Sequence, residues 1–159
     1  MSMPENLNIR TANLSENYII AEHLYKMWQD IGVPIDSIES NWLEITKEYI
    51  DNARKKLFYQ AFIAEINNTI VGSVSCQILA GLYPNILKPE YRKYGYIWGV
   101  YVEANYRRQG IAKKLMEEAI AYLKSINCTK AILHASPQGK PLYSDLGFDK
   151  NNEMRLDLS

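Results

Sequence analysis

The sequence predicts an α/β domain with a mixed sheet and helices packed against it. Short segments alternate apolar and polar residues, others repeat apolar residues at helical spacing, and residues 96–102 form a nearly unbroken apolar run. These patterns are typical of half-buried strands, amphipathic helices and a central strand, respectively. Along the chain they give the order β-α-α-β-β-β-α-β-α-β, which suits one sheet with helices against its faces. The chain has 159 residues, so we expect a single domain over residues 1–159.

The first part of the chain divides into a strand and two helices. Residues 7–11 alternate as a strand does, and Gly32 and Pro34 end the helix that follows. The apolar stripe that we expect this helix to bury consists of Ile20, Leu24, Met27, Trp28 and Ile31. Asp36 with Glu39 forms the pattern of a capping box and predicts the start of a second helix. The expected buried face of the second helix consists of Ile38, Trp42, Ile45 and Tyr49.

The rest of the chain begins with a hairpin and ends with a strand. Residues 61–66 and 70–76 flank Asn67-Asn68, a pair that tolerates positive φ in a tight turn. Residues 80–94 are rich in Gly, Pro and Tyr and predict a long loop, a kind of segment that often carries function. The remaining elements are a central strand over 96–102, a helix over about 109–126, a strand over 131–134, a short helix over 141–146 and a last strand over 153–158.

Composition argues against several classes of protein. Lys and Arg number 18 and so do Asp and Glu, so the overall charge gives no reason to expect nucleic-acid binding. No apolar run approaches the ~20 residues of a membrane helix, and the first residues lack the apolar segment of a secretory signal. We therefore expect a cytoplasmic protein without a membrane partner. Cys76, Cys128 and the two histidines form no cluster with metal-ligand spacing, so we expect no metal.

The most informative segment joins the central strand to the long helix. It contains the sequence Arg107-Arg108-Gln109-Gly110-Ile111-Ala112. A helix N-terminus presents unpaired N–H groups and about half a positive charge. Gly110 lacks a Cβ and lets a ligand approach the backbone, while Arg107 and Arg108 add cationic donors. The segment therefore predicts an anion site, which a diphosphate fits best.

Two motifs resemble those of the GNAT acetyltransferases, a superfamily that transfers acetyl from acetyl-CoA to an amine. Residues 107–112 match that family's (Gln/Arg)-x-x-Gly-x-(Gly/Ala) pyrophosphate loop. Residues 142–148, Leu-Tyr-Ser-Asp-Leu-Gly-Phe, are similar to a late segment of the family. The resemblance also covers nearly the whole chain in the order of its elements. It implies a GNAT-like acyl-CoA N-acyltransferase fold, an acetyl-CoA-dependent N-acetyltransferase activity and acetyl-CoA as co-substrate.

The resemblance further implies which residues hold the co-substrate. Those expected to bind it are Val100, Tyr101, Val102, Arg107, Arg108, Gln109, Gly110, Ile111, Ala112, Ser136 and Tyr143. The pantetheine is expected along the backbone of residues 100–102, and the diphosphate on the amides of residues 108–112. Ser136 stands where many members carry an Asn and offers a hydroxyl in its place. Tyr143 corresponds to the family's general acid, the alternative being a purely structural tyrosine.

The sequence leaves open which group deprotonates the amine. Family members often use a Glu within the fourth strand, but here the strand has no acid before Glu103 at its end. Glu103 and His134 are the candidates, and a water relay is a third possibility. Neither cysteine lies at a helix start, so we expect direct attack by the amine and no acetylated cysteine. Tyr83 and Trp98 are the candidates for lining an acceptor pocket.

The sequence is compatible with three functions. The first is an N-acetyltransferase that acts on a primary amine of a small molecule. The second is a protein or peptide N-acetyltransferase, which requires an open groove in place of a closed pocket. The third is a non-catalytic CoA-binding sensor, which the missing strand acid favours and Tyr143 disfavours. The sequence leaves a homodimer open.

Overall fold

A computed structural model describes residues 3–159 and contains one five-stranded sheet in the order β1-β2-β3-β4-β5. The strands are β1 (Leu7–Thr11), β2 (Gln60–Ile66), β3 (Thr69–Ile78), β4 (Tyr94–Val102) and β5 (Lys130–Ile132). Neighbouring strands pair antiparallel except β4 and β5, which run parallel. The sheet is therefore mixed, as the sequence predicts, and its one parallel pair lies at an edge.

Four helices cover the two faces of the sheet. They are α1 (Asn17–Ile31), α2 (Trp42–Lys56), α3 (Ile111–Ser125) and α4 (Lys140–Asp145). Side chains of β2 alternate between two cores: Phe62 packs in the core that includes α3, and Ile63 packs in the core that includes α1 and α2. This alternation is the period-two pattern of a strand buried on both faces. The sheet is thus a central layer, and β4 lies between α1 and α3.

The strand expected over residues 153–158 does not form. Met154, Leu156 and Leu158 alternate with polar residues as a strand would, but all three side chains are exposed. A strand needs a partner as well as a pattern, and β5 has only three residues, all of them paired with β4. The prediction of a last strand is therefore wrong, and the sheet ends at β5.

The start of the second helix also differs from the prediction. Residues Ile35–Ser37 make a single 3₁₀ turn, after which Ile38 is extended, and α2 begins only at Trp42. Asp36 therefore lies in a turn and does not cap α2. Of the expected buried face, Ile45 and Tyr49 are in fact exposed, while Thr46, Ile50 and Ala53 face the core. The helix is rotated so that the expected face borders a cleft instead of the sheet.

A β-bulge changes the course of β4 near its middle. Ser75 pairs with Trp98 and Ser73 pairs with Tyr101, so two residues of β4 lie opposite the single residue between them on β3. The extra residue is accommodated by Gly99, whose φ is +65°. A bulge bends its strand and increases its twist. The pairing of β4 with β5 ends at Tyr96, shortly before the bulge, and the rest of β4 is not paired with β5.

A buried histidine fastens α1 to the sheet beneath this strand. His23 is 3% exposed, and its Nδ1 lies 2.7 Å from Ser73 Oγ. Its Nε2 lies 3.4 Å from Glu103 Oε1, and its ring packs 5.0 Å from that of Tyr101. Burial lowers the pKa of His23 to about 4, although the Glu103 carboxylate acts in the opposite direction. His23 is therefore neutral in the folded protein at pH 7.

We expect this histidine to make folding sensitive to mild acid. An unfolded histidine has a pKa of about 6.5, so between about pH 4 and 6.5 the unfolded chain binds more protons at this position. The free energy of unfolding should consequently rise with pH through that window, by about 2 kcal/mol between pH 4.5 and 7. Denaturant unfolding at pH 4.5 and 7 gives the change in the free energy of unfolding between these pH values for the wild type and for His23→Gln. The difference between the two changes is the contribution of His23. An unchanged dependence in His23→Gln would contradict the assignment.

Candidate functional site

A cleft of about 1250 Å³ opens where β4 leaves β5. Its walls come from α1, α2, β4, the turn before α3, and the segment from Leu133 to α4. Pockets for drug-sized ligands usually measure about 300–1,000 Å³, so this cleft can hold a ligand of larger size. Most residues assigned from the resemblance lie together here: Val100, Tyr101, Val102, Arg107, Arg108, Gly110, Ile111, Ala112, Ser136 and Tyr143 line the cleft, and Gln109 is not among its lining residues.

One side of the cleft is the backbone edge of β4. β5 pairs with β4 only from Tyr94 to Tyr96, and no other strand in the described part of the chain adjoins that edge. Residues from Ile97 to Val102 therefore present a strand edge to the cleft, where all of them are lining residues. An unpaired strand edge offers N–H and C=O groups in a regular row to an extended ligand.

The turn between β4 and α3 has the backbone shape of an anion site. Arg108 has φ +61° and Gly110 has φ +83°, while α3 begins at Ile111. Left-handed residues next to a helix start turn successive N–H groups toward one point, where the helix dipole adds positive potential. A Cβ placed on Gly110 would approach only the Met3 side chain, at 3.5 Å from its sulfur. The backbone of this turn is thus accessible from the cleft.

Arg107 is engaged by the protein itself. Its Nε donates to the carbonyl of Val102 at 2.8 Å, and its Nη2 donates to Asp30 Oδ2 at 2.5 Å. The guanidinium also lies over the Tyr101 ring, 5.3 Å from its centre. These contacts join α1 to the end of β4, so the guanidinium of Arg107 orients the turn. Arg108 and Lys113 are the cationic side chains of this end of the cleft that make no ion pair among residues 3–159.

Tyr143 stands on α4, where its ring packs among the residues that line the cleft. The ring packs edge-on against Phe148, with centres 6.1 Å apart, and lies directly over Gly139. A Cβ on Gly139 would come within 2.7 Å of Tyr143 Cε2. Ser136 Oγ accepts from the Gly139 N–H at 3.3 Å, so this serine stabilises the turn that supports the tyrosine. Burial raises the pKa of Tyr143, which keeps the phenol protonated.

A chain of three hydrogen-bonded side chains begins in the cleft lining, with Tyr96 and His134, and ends at Glu153 outside that lining. The Tyr96 hydroxyl lies 2.6 Å from His134 Nδ1, and His134 Nε2 lies 2.7 Å from Glu153 Oε2. Arg155 Nε donates to the other oxygen of Glu153 at 2.6 Å. The bonds from Arg155 and His134 hold the pKa of Glu153 below its usual range. Sequence reasoning missed Tyr96 and Glu153, because residues so far apart in the chain carry no shared signal.

Glu103 and Tyr83 occupy positions other than those expected. Glu103 Oε1 accepts from Lys26 Nζ at 2.9 Å and faces His23, and Glu103 is not among the residues that line the cleft. Tyr83 is exposed on the loop between β3 and β4, with Arg92 5.9 Å from its ring centre, and it too lies outside the cleft lining. Trp98, the other expected pocket residue, does line the cleft.

The half of the cleft between α1 and α2 has an apolar wall that sequence reasoning assigned to the core. Trp28, Ile31, Ile45 and Tyr49 all line the cleft and remain about half exposed. The prediction that Trp28 is a core residue is therefore wrong. Their helical spacing is the same whether the stripe faces a sheet or a cleft, so periodicity could not distinguish the two.

The two cysteines lie away from this site. Cys76 is fully buried in the core, and its burial raises its pKa to about 12. Burial also raises the pKa of Cys128, and neither residue lines the cleft. A thiol that stays protonated and lies outside the cleft is a poor nucleophile. The arrangement agrees with direct transfer between two ligands that share the cleft.

Comparison with known proteins now decides the family. The model of the acetyltransferase (GNAT) family matches residues 21–148. This chain belongs to that family. Among solved structures, an acetyltransferase from Clostridium acetobutylicum determined with acetyl-CoA superimposes with a TM-score of 0.80 at 25% identity, covering 96% of each chain. The mixed α/β fold, the GNAT membership and acetyl-CoA as co-substrate are thus confirmed, and the chain is an acetyl-CoA-dependent N-acetyltransferase.

Two curated relatives of this GNAT enzyme carry names with different acceptors. The chain is 33% identical over 106 residues to glucosamine 6-phosphate N-acetyltransferase from Trypanosoma brucei brucei, a match that covers 66% of the chain and 69% of that protein. It is 24% identical over 157 residues to human N-alpha-acetyltransferase 30, a match covering 97% of the chain and 34% of the human protein. The chain spans about a third of the length of the second relative. Family membership therefore fixes the reaction and not the acceptor.

Two further features bear on the class of this GNAT enzyme. From residue 3 to residue 159, no helix has the length and apolar character needed to cross a membrane. Over the same residues, no three His, Cys, Asp or Glu side chains gather in a way that could hold a metal ion.

Proposed function

We propose that this GNAT enzyme acetylates the primary amine of a small molecule, and that the amine attacks the thioester directly within the cleft. The observation that carries the proposal is the parting of β4 from β5, which places an open strand edge, the Gly110 turn and Tyr143 around one space. An acyl donor with a diphosphate and an extended amide-containing arm is complementary to these three features.

The acyl donor is proposed to lie along the open edge of β4. The turn from Arg108 to Ala112 supplies N–H groups for the diphosphate, with Arg108 as the nearby cation. The edge from Val100 to Val102 supplies hydrogen bonds to the pantetheine amides. A backbone N–H of the same edge is proposed to meet the oxygen that gains charge as the amine attacks, since a donor fixed by the strand needs no rearrangement.

Tyr96, His134 and Glu153 are proposed to take the proton from the amine. A carboxylate can only accept, so His134 must donate from Nε2 to Glu153, which leaves Nδ1 of the neutral ring as an acceptor. The Tyr96 hydroxyl therefore donates to Nδ1, and its oxygen lone pairs are left for the amine. As Tyr96 takes a proton from the amine, it can pass its own to His134, whose positive charge Glu153 then stabilises.

Tyr143 is proposed to donate the proton that the departing thiolate takes up. Its phenol stays protonated because burial raises its pKa, and its ring packs against Phe148 and over Gly139 in the lining of the cleft. The two tyrosines thus divide the work: Tyr96 accepts a proton and Tyr143 donates one. This division favours a working enzyme over a sensor that binds CoA without turnover.

We propose that the amino group that accepts the acetyl group belongs to a small molecule and not to a protein. The wall between α1 and α2 is apolar, and the C-terminal segment borders the same end of the cleft through Arg155. A peptide N-terminus needs a groove with hydrogen-bonding groups along several residues. We therefore expect the enzyme to acetylate small amines and to show no activity with peptides.

Replacing Tyr143 by Phe should lower turnover much more than it lowers acetyl-CoA affinity. The hydroxyl acts on a group that exists only as the thioester breaks, whereas the ring and its packing remain. General acid catalysis contributes about 10²–10⁴-fold, so we expect kcat to fall at least ~10-fold. Thiol release with a panel of amines measures kcat, and titration with acetyl-CoA measures affinity.

The matched control for this measurement is Tyr91→Phe. Tyr91 is exposed on the loop between β3 and β4 and lies outside the cleft, so its loss of a hydroxyl should leave kcat unchanged. Equal kcat in Tyr143→Phe and the wild type, under conditions where chemistry limits the rate, would contradict the acid role. Acetyl-CoA binding without thiol release on any amine would contradict the proposed enzymatic function.

Replacing Tyr96 by Phe should slow the reaction in a way that depends on the basicity of the amine. An amine of pKa about 10 is roughly 0.1% neutral at pH 7 and needs the relay, whereas an amine of pKa below 7 is already neutral. We therefore expect kcat/KM to fall at least ~10-fold with the basic amine and less than ~3-fold with the weakly basic one. His134→Gln should show the same selectivity, because Nδ1 receives the proton of Tyr96.

A purely structural Tyr96 would give a different result. Its replacement would then slow both amines by the same factor, since damage to the cleft does not depend on amine basicity. Equal losses for two amines of similar shape and different pKa, such as an alkylamine and its fluorinated analogue, would overturn the relay.

A further inference from the structure

The apolar wall of the cleft is unusual in being both large and accessible. Trp28 and Ile31 on α1 are each 45% exposed, while Ile45 and Tyr49 on α2 are 47% and 50% exposed. All four line the same cleft, together with Trp98 on β4. Isolated exposed apolar side chains are ordinary on a surface, but a contiguous set facing a concave space indicates a binding site for an apolar group.

A buried glutamine holds two aromatic side chains of this wall in fixed positions. Gln77 is 3% exposed, its Oε1 accepts from Trp98 Nε1 at 3.0 Å, and its Nε2 donates to the Tyr49 hydroxyl at 2.8 Å. Because the indole N–H can only donate, it fixes the orientation of the Gln77 amide, which must then turn its NH₂ to Tyr49. The rings of Tyr49 and Trp98 meet edge to face, with centres 5.7 Å apart. The wall is therefore pre-organised before any ligand arrives.

The orientation of Gln77 also determines what Tyr49 can do. Its oxygen accepts from Gln77, so its own hydroxyl hydrogen remains for a second partner. Tyr49 lines the cleft, and we find no acceptor for that hydrogen among residues 3–159. The apolar wall thus carries one hydrogen-bond donor at the position where α2 meets β4.

The charges in the cleft do not suit a phosphorylated acceptor. Arg107 is paired with Asp30, and Arg108 and Lys113 lie at the Gly110 turn, where the diphosphate of acetyl-CoA is proposed to bind. The remaining cation of the lining, Arg155, is paired with Glu153 and is highly exposed. A phosphate at the acceptor end would therefore have no buried cation to bind, and a desolvated phosphate without one is costly.

We infer that the acceptor of this GNAT enzyme is a primary amine joined by a short alkyl chain to an aromatic ring, which packs between Trp28, Ile45, Tyr49 and Trp98. This inference rests on the proposed function and adds the substrate class. The ring contacts side chains that are already in place, and the amine lies toward Tyr96, the first member of the proposed relay. Sugar phosphates and peptide N-termini are the competing classes, since the two curated relatives carry names of those kinds.

The direct test compares acceptors with the full-length enzyme and acetyl-CoA. The probes are 2-phenylethylamine, ethanolamine, glucosamine 6-phosphate and a short peptide with a free N-terminus, with thiol release as the readout. We expect kcat/KM for 2-phenylethylamine to exceed that for each of the others by at least ~10-fold, because only its ring can bury apolar surface against the wall.

Ile45→Ser tests the wall itself. The side chain is about half exposed, so its replacement should leave folding intact. We expect KM for 2-phenylethylamine to rise about tenfold, from lost apolar contact, while KM for acetyl-CoA stays within twofold. Ile35→Ser is the matched control: Ile35 is 62% exposed and lies outside the cleft lining, so both KM values should stay unchanged.

The outcomes separate a failure of this inference from a failure of the proposed function. Higher kcat/KM for glucosamine 6-phosphate or ethanolamine would overturn the aromatic acceptor and leave the proposed function in place, whereas higher kcat/KM for the peptide would overturn the aromatic acceptor and the small-molecule acceptor together. An unchanged KM for 2-phenylethylamine in Ile45→Ser would overturn the role of the wall. Binding of acetyl-CoA without thiol release on any of the four acceptors would overturn both proposals.

Discussion

The parting of β4 from β5 after Tyr96 is the constraint on which the rest of the site depends. Parallel strands in one sheet normally remain paired along their length, since each unpaired N–H and C=O is costly once it is buried. Here the bulge at Gly99 bends β4, and β5 ends after three residues. The edge that is left open lines a cleft flanked by helices, where an extended ligand can pair with it.

The open end of β4 is held in place by contacts that come from α1. Arg107 binds the carbonyl of Val102 and the carboxylate of Asp30, while His23 packs under Tyr101 and faces Ser73. Individually, an exposed ion pair contributes little, about 0–1 kcal/mol. Together these contacts link α1 to the end of β4, His23 on the buried side and Arg107 on the exposed side. Because α1 also carries Trp28 and Ile31, the same contacts fix the position of the apolar wall of the cleft.

Local parts of this structure were predictable from sequence, and parts assembled from distant segments were not. The Gly110 turn depends on neighbouring residues, and its glycine, arginines and helix start can be read together. Tyr96, His134 and Glu153 meet only because the start of β4, the residues that follow β5 and the C-terminal segment lie side by side. Nothing in their spacing predicts that meeting.

Two of the failed predictions have a common physical cause. The alternation in residues 153–158 is typical of a strand, and the stripe with Trp28 and Ile31 is typical of a buried helix face. Each pattern shows only that one face of the element is apolar. What covers that side depends on the partner. The last segment has no strand beside it, and the stripe of α1 continues past the edge of the sheet into the cleft.

Amide hydrogen exchange with and without acetyl-CoA tests most directly whether the open edge of β4 binds the co-substrate. The account predicts that acetyl-CoA slows exchange at least ~10-fold in residues 97–102 and 110–113, because ligand hydrogen bonds then occupy backbone groups that no strand pairs. The loop over residues 79–93 lies away from the cleft and should keep its exchange rates. Saturating acetyl-CoA that leaves residues 97–102 and 110–113 unprotected would contradict the account.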